Sequence, residues 1–302
     1  MWGPNPVLEK LGFGENDRVA IIHTDDIGMC QASVSAFIDL WEAGRITAGA
    51  AMVPCPWFGE IAAYCRANPE ADMGVHATLT CEWPTFRWGP LSTRDAGTGL
   101  LDEEGGLHKT CEALAAKGRP PAVRAELAAQ IARARAAGIS PTLMDTHMGS
   151  VMHAKFYEGF AETALAAGIP PFTLRLEEAQ WLKGGYDAES AAVLFKQSQR
   201  LEKLGVPLLD RILNVPLAEE EDRLEKTRAV FRTMKPGHLS YFILHPSQDT
   251  PELRAICSDW RSRVADYEIF LSGGVAETIE EEGIHLIGCR DLANLMPDWA
   301  NA

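Results

Sequence analysis

Several features that would assign this 302-residue sequence to a specialised class of protein are missing from it. No Cys-x-x-Cys pair occurs, and the seven cysteines are an odd number, which argues against a disulfide framework and a cysteine-ligated zinc site. No apolar run reaches the roughly 18 residues that span a membrane. The first residues lack the basic start and apolar run of a signal peptide. We therefore expect a protein of the reducing cytoplasm with no membrane association.

Positive charge is also scarce in the sequence. Lys and Arg number 28 against 42 Asp and Glu, which gives a formal net charge of -14. Nucleic acids and anionic membranes bind through clustered Lys and Arg, so neither is an expected partner. No Gly-x-Gly-x-x-Gly follows the first predicted strand, and no Walker-type phosphate loop is present. A small molecule is the expected partner, and whether the chain forms a homo-oligomer stays open.

What the sequence does contain is a repeated alternation of strand-like and helix-like patterns. Strand patterns such as RVAIIH (18–23), PFTLRL (171–176) and GHLSYFILH (237–245) alternate with helical patterns such as QASVSAFIDLWEAG (31–44). About eight such units predict an α/β fold, with seven or eight parallel strands in a regular or distorted (β/α) barrel. A doubly wound open sheet is the alternative.

One long segment, at about 82–120, interrupts this alternation. It is rich in Gly, Pro and Trp and has little periodicity. Long irregular connections inside compact domains are often functional. Trp83 and Trp88 lie in this insertion, and their rings could either stack on a sugar or pack inside the folded loop. The chain has no strong linker, so residues 1–302 are predicted to form a single domain that includes the insertion.

The distinctive ionisable side chains occur mostly at the carboxyl ends of the predicted strands. They are Asp25, Asp26, His76, Asp145, His147, Arg175 and His245. In a parallel barrel these strand ends share one face, which is the face that carries the active site. The pattern therefore predicts a catalytic domain with its site at this end of the sheet.

Asp26, His76 and His147 are the predicted ligands of one divalent metal ion. One carboxylate and two imidazoles are a common ligand set for an ion with open coordination positions, and Zn, Co or Ni suit the imidazoles while Mg or Mn stays open. An ion would also explain the adjacent acids, because Asp25 could stay ionised beside it as a base. The alternative is a solvated Asp-Asp turn with structural histidines, and His153 is a secondary candidate ligand.

Four segments in the same order resemble the YdjC-like, or ChbG-like, carbohydrate deacetylases, which are related to NodB-type polysaccharide deacetylases. These segments are IIHTDDIG (21–28), GVHATLT (74–80), DTHMG (145–149) and LHPS (244–247). The resemblance implies a (β/α)-barrel-like fold, a divalent metal, and removal of acetyl groups from N-acetylated sugars. It also implies that Asp25 is the general base, that Asp26, His76 and His147 bind the metal, and that His245 is the general acid. Arg175 would lie near the carboxylates and orient Asp25.

The sequence departs from that family pattern at positions beside the predicted site. His23 and Thr24 stand where the pattern has Asn and Ala, Ile27 replaces Phe, and Gly149 replaces a second His of Asp-x-His-x-His. The implied function is metal-dependent deacetylation of an N-acetylated sugar or oligosaccharide. Two alternatives stay open, namely a metal-dependent amidase with a non-sugar substrate and an inactive carbohydrate-binding homologue.

Overall fold

The computed structural model describes residues 2–297, and the remaining residues of the predicted 1–302 domain lie outside the described part. The strands are β1 (Arg18–Ile27), β2 (Ala48–Ala51), β3 (Met73–Ala77), β4 (Met144–Thr146), β5 (Arg211–Leu213), β6 (His238–Leu244) and β7 (Ile284–Leu286). The α-helices are α1 (Pro6–Lys10), α2 (Gln31–Glu42), α3 (Phe58–Ala67), α4 (Cys111–Lys117), α5 (Pro120–Ala136), α6 (Ala154–Ala166), α7 (Glu178–Lys183), α8 (Ala188–Lys203), α9 (Arg223–Arg232), α10 (Pro251–Ile256), α11 (Trp260–Leu271), α12 (Gly274–Glu281) and α13 (Cys289–Ala293). Short 3-10 turns cover Ala96–Thr98 and His147–Gly149.

The strands form one parallel sheet, so the prediction of a parallel α/β fold is confirmed. The hydrogen-bonded path runs β4-β3-β2-β1-β6-β5, and β7 pairs with β1 beside it. Neighbouring strands in this path are consecutive in the chain except β1 and β6, which join the first part of the chain to the last, as in a barrel opened between β4 and β5. A doubly wound sheet would instead reverse its strand order at an internal point. The architecture is therefore a curled sheet of the distorted (β/α)-barrel type.

Two irregularities prevent a regular eight-stranded cylinder in residues 2–297. The residues predicted as a strand at 171–176 make only single bridges, from Pro171 to Met144 and from Leu174 to Leu209. Pro170 and Pro171 have no backbone N–H, which removes two donors from the start of this segment. In addition, one edge of β1 is shared, because its first residues pair with β7 and its later residues pair with β2.

Strand β1 lies at the centre of the core. Its residues from Val19 to Ile27 are all buried, as expected for a strand that is covered on both faces. Ile21 and Ile22 are fully buried, and β6 beside them contributes the buried rings of Tyr241 and Phe242. Burying β1 along almost its whole length fixes the position of the polar residues at its carboxyl end.

The predicted insertion is largely irregular but is firmly attached to the barrel. The buried Glu126 carboxylate of α5 accepts hydrogen bonds from the backbone N–H groups of Leu91 at 3.0 Å and Ser92 at 2.8 Å. One turn further along α5, Gln130 bonds to both backbone groups of Thr78, just after β3. Helix α5 therefore holds the insertion against the end of β3. No helix in residues 2–297 is long and apolar enough to cross a membrane.

Candidate metal centre

The three predicted metal ligands converge at the carboxyl ends of β1, β3 and β4. The His147 Nδ1 atom lies 3.0 Å from Asp26 Oδ1, and the His76 Nε2 atom lies 3.5 Å from the same oxygen. One ligand atom from each of the three residues lies within 4.8 Å of the other two, and all three side chains are buried. Residues that are 121 positions apart in the chain thus share one small polar site.

A local irregularity in β1 allows Asp25 and Asp26 to reach the same site. Adjacent residues of a regular strand point to opposite faces of the sheet. Asp26 instead has a φ of 59°, a left-handed conformation that Asp tolerates better than most residues, and the register with β2 shifts between Thr24 and Ile27. Gly49 of β2 lies opposite this bulge, where a Cβ atom would come within 2.5 Å of Thr24 Oγ1 and of Ile27 Cδ1.

The outer nitrogen of each ligand histidine is held by a further carboxylate. His76 Nδ1 lies 2.7 Å from Asp145 Oδ1, and His147 Nε2 lies 2.9 Å from Glu82 Oε2. Metal-binding histidines usually donate their second N–H to a carboxylate in this way, which fixes the ring and increases the basicity of the ligand nitrogen. His76 Nε2 and His147 Nδ1 remain directed at Asp26, so these residues fit a divalent cation.

A guanidinium group fixes the orientation of the Asp26 carboxylate. Arg263 Nη1 lies 2.7 Å from Asp26 Oδ2, and Arg263 Nε also donates to Asp259 at 2.9 Å. This leaves Asp26 Oδ1 facing the two imidazoles as the candidate ligand atom. Sequence reasoning assigned no role to Arg263, because it lies on α11, 237 residues from Asp26, and nothing in the helical pattern marks it.

The two predicted proton-transfer residues flank this ligand set. Asp25 Oδ2 lies 3.8 Å from His245 Nε2 and 3.9 Å from His76 Nε2. His245 is half-buried, and its backbone N–H donates to the buried Asp266 carboxylate of α11 at 3.1 Å. The structure thus brings Asp25 and His245 together beside Asp26, His76 and His147, as the strand-end reasoning predicted.

The structure does not bring Arg175 into this cluster, and the predicted contact with Asp25 is not formed among the described residues. The Arg175 side chain pairs with Glu202 at 2.7 Å and with Asp210 at 2.8 Å. It lines a different cavity, which it shares with His238 at the amino end of β6. Leu174 bridges to Leu209, which places the neighbouring Arg175 beside Asp210 and not beside Asp25.

Two other features of the sequence prove to be structural. Trp83 and Trp88 are 8% and 5% exposed, so their rings pack inside the fold and present no open face to a sugar. The Trp88 indole N–H donates to the Thr80 carbonyl, and its ring lies 6.4 Å from that of His147. His153 caps α6 by accepting a hydrogen bond from the Lys155 N–H, so its secondary role as a ligand is not supported.

A cavity of about 350 Å³ opens beside the cluster. Its ionisable lining residues include Asp25, Asp145 and His245, and its mainly apolar lining residues include Met148, Met152, Phe172, Tyr186 and Ile212. Two of the apolar side chains are unusually exposed, since Met148 is 55% exposed and Ile212 is 43% exposed. No Lys or Arg is among the described residues that line the cavity.

Burial and charge act in opposite directions on the ionisable groups of the cluster. Burial would raise the pKa of Asp26, but the Arg263 guanidinium and His147 hold it well below its ordinary value. Burial would lower the pKa of both ligand imidazoles. Asp145 and Asp25 nevertheless raise the pKa of His76 well above its usual range, and Glu82 and Asp26 raise the pKa of His147 to about 9. In the absence of a metal ion, positive charge is therefore favoured on both rings.

The fold and the site define a parallel α/β protein with a buried carboxylate–histidine centre at the carboxyl ends of its strands. The sequence model of the YdjC-like protein family matches residues 19–281, and the chain belongs to this family.

Known proteins extend this relationship over most of the chain. The carbohydrate deacetylase of Thermus thermophilus is 33% identical over 266 residues, covering 86% of this chain and 89% of that protein. The chitooligosaccharide deacetylase of Klebsiella pneumoniae is 28% identical over 214 residues, covering 69% and 80%. A crystal structure of an Enterococcus faecalis protein named for cellobiose-phosphate cleavage superposes with a TM-score of 0.72 at 24% identity, covering 91% of this chain and 99% of that one. This superposition establishes the shared fold.

The arrangement around the two imidazoles predicts a graded effect of substitution on metal binding. His147→Ala removes a ligand, so we expect the loss of stoichiometric metal. Glu82→Gln removes only the charge that holds the outer nitrogen of His147, so we expect affinity to fall by roughly 10- to 100-fold. Metal titration monitored by calorimetry, with elemental analysis, measures both effects.

Glu104→Gln is the matched control for Glu82→Gln, because Glu104 is an exposed carboxylate of the same insertion. Full metal occupancy in His147→Ala, or equal weakening by both Glu→Gln changes, would contradict this description of the site.

Metal binding is also expected to release protons at pH 7. The raised pKa values of His76 and His147 mean that both rings are positively charged imidazolium groups in the metal-free protein at pH 7. A metal ligand must instead be a neutral imidazole, so each ring has to lose one proton. Binding should therefore displace about two protons per ion, and apparent affinity should increase as the pH rises towards 9. Calorimetry in two buffers with different ionisation enthalpies measures the number released, and zero would show that the rings are already neutral.

Proposed function

We propose that this chain is a metal-dependent hydrolase that removes the acetyl group from an N-acetylated sugar or oligosaccharide. The observation that carries the proposal is that Asp25 and His245 line one cavity and lie beside the Asp26, His76 and His147 set. The names of the relatives from Thermus thermophilus and Klebsiella pneumoniae support the same reaction class.

Asp26, His76 and His147 would hold the ion, and their two imidazoles suit Zn, Ni or Co, while Mg is compatible with the carboxylate. A divalent ion bound there lowers the pKa of a coordinated water and polarises the acetyl carbonyl. The ion is thus a required cofactor in this proposal, and the outer carboxylates Asp145 and Glu82 keep both ligand rings in place.

Asp25 and His245 carry out the proton transfers in this scheme. The Asp25 Oδ2 atom faces the ligand set. It accepts a proton from a water molecule as the water oxygen attacks the acetyl carbon. His245, whose Nε2 atom lies 3.8 Å from Asp25 Oδ2, donates a proton to the nitrogen as the C–N bond breaks. The products are acetate and an amine, so the atoms of one water molecule are divided between them.

The shape of the cavity indicates how a substrate would lie. An acetamido group would lie near Asp25 and His245, and the ring attached to it would contact the side chains of Met148, Tyr186 and Ile212. Sugar rings present apolar C–H faces as well as hydroxyl groups, and such faces pack on aromatic and aliphatic side chains. A metal-dependent amidase with a non-sugar acetamide substrate is the second candidate. It is favoured by the largely apolar side chains among the lining residues, such as Met148 and Ile212.

The reaction is tested by measuring acetate release from N-acetylated mono- and oligosaccharides and from small non-sugar acetamides, with metal content determined on the same sample. We expect release from at least one sugar. Asp25→Asn should keep the metal and lower kcat by roughly 10²- to 10⁴-fold, because it removes the base without removing a ligand.

Asp95→Asn is the control for that substitution, since Asp95 is an exposed acid outside the cavity. Turnover at the wild-type rate in Asp25→Asn would refute the assignment of the base. Release from acetamides alone would favour the amidase, and full metal occupancy with no release from any substrate would favour an inactive homologue.

The exposed apolar side chains at the cavity mouth give a second prediction. Met148→Ala and Ile212→Ala should each raise KM for the sugar substrate by about fivefold, the equivalent of about 1 kcal/mol of lost apolar contact, with little change in kcat. Leu204→Ala is the control, because Leu204 is also exposed, at 39%, but does not line the cavity. Steady-state kinetics that show equal effects at all three positions would contradict this substrate orientation.

A further inference from the structure

His23 contacts the carboxylate that the proposed function uses as its base. It lies two residues before Asp25 on β1, and its Nδ1 atom is 2.8 Å from Asp25 Oδ1. The same nitrogen is 3.8 Å from Asp145 Oδ2, and the residue is fully buried. Because water has no access to this contact, the hydrogen bond is protected from competition and has a fixed direction.

The surroundings of the second ring nitrogen, Nε2, indicate which nitrogen of His23 carries the proton of this hydrogen bond. The His23 Nε2 atom is buried and has no hydrogen-bond partner among the described residues, and the ring stacks on Tyr241 with centroids 4.8 Å apart. A buried N–H without an acceptor is rarer in proteins than a buried acceptor without a donor. The arrangement therefore favours a proton on Nδ1, which His23 donates to Asp25.

This donation distinguishes the two oxygens of Asp25. Oδ1 is occupied by His23, whereas Oδ2 lies 3.8 Å from His245 Nε2 and 3.9 Å from His76 Nε2. On the basis of the proposed function, we propose that His23 is a positioning residue. It holds Asp25 by Oδ1 so that Oδ2 is the oxygen that receives the proton. Nothing in the role requires His23 to touch the substrate or the metal.

Two nearly isosteric substitutions separate the hydrogen bond from the volume of the side chain. The Nδ2 atom of Asn is attached to Cγ just as the Nδ1 atom of His is, so His23→Asn keeps a donor at the same place. His23→Leu has the shape of Asn and no donor. We expect kcat to stay within about threefold of wild type in His23→Asn and to fall by roughly 10- to 100-fold in His23→Leu, as for the loss of a hydrogen bond to a charged group.

Further measurements on the two variants test whether the role of His23 is purely structural. KM, metal stoichiometry and the thermal unfolding midpoint should be similar in the two variants, so that only kcat separates them. In the metal-free wild-type protein, ¹⁵N NMR of the His23 imidazole should show a proton on Nδ1. A spectrum with no proton on Nδ1, or equal kcat values for His23→Asn and His23→Leu, would overturn the proposal.

Activity of the wild-type protein distinguishes failure of this inference from failure of the proposed function. If the wild-type protein releases acetate and the two variants do not differ, only the role of His23 is refuted. If the metal-loaded wild-type protein releases no acetate from any substrate, the proposed function fails, and the role of His23 in it fails too.

Discussion

Four carboxylates, those of Asp25, Asp26, Glu82 and Asp145, surround two imidazoles at the carboxyl ends of β1, β3 and β4, and three of the four are buried. So much negative charge away from water requires compensation. Arg263 supplies one positive charge and shares it with Asp259. The remaining compensation comes from two protons on the imidazoles or from one divalent cation, and these two choices carry the same charge. In the proposed function, exchange of the two protons for one divalent cation would leave the net charge of the site unchanged.

The fold meets this requirement through the end of one buried strand. Because β1 is held on one side by β6 and on the other by β7 and β2, its last residues have little freedom to move. The left-handed backbone at Asp26 directs two adjacent acids into the same site, where a regular strand would separate them. Helix α11 then acts at two points, since Arg263 binds the Asp26 carboxylate and Asp266 binds the backbone of His245. One helix thus fixes a candidate ligand and the candidate acid relative to each other.

Strand-end reasoning found Asp26, His76 and His147 because a parallel sheet brings such positions together whatever their separation in the chain. It could not find Arg263, since a long side chain on a covering helix reaches the site without any periodic signal. Glu82 was missed for a similar reason, because the irregular insertion that carries it has no pattern from which a direction can be read. The error over Arg175 has a different origin. The apolar letters of 171–176 indicate a strand with Arg175 near its end, but this segment makes only single bridges, and Arg175 pairs with Glu202 and Asp210 instead of Asp25.

The departures from the family pattern fall around the candidate metal centre and leave its ligand set intact. His23 places a donor beside Asp25, where the pattern has Asn, whose side-chain amide can donate from an equivalent atom. At Gly149 the pattern has a histidine, and a Cβ atom added here would have only the side chains of Met152 and Tyr186 within 4 Å. The glycine therefore leaves open space at the cavity mouth, next to Met148 and Ile212. Because the candidate ligands and their outer carboxylates are untouched by either change, a difference from relatives is expected in the group that the cavity accepts and not in the chemistry at Asp25 and His245.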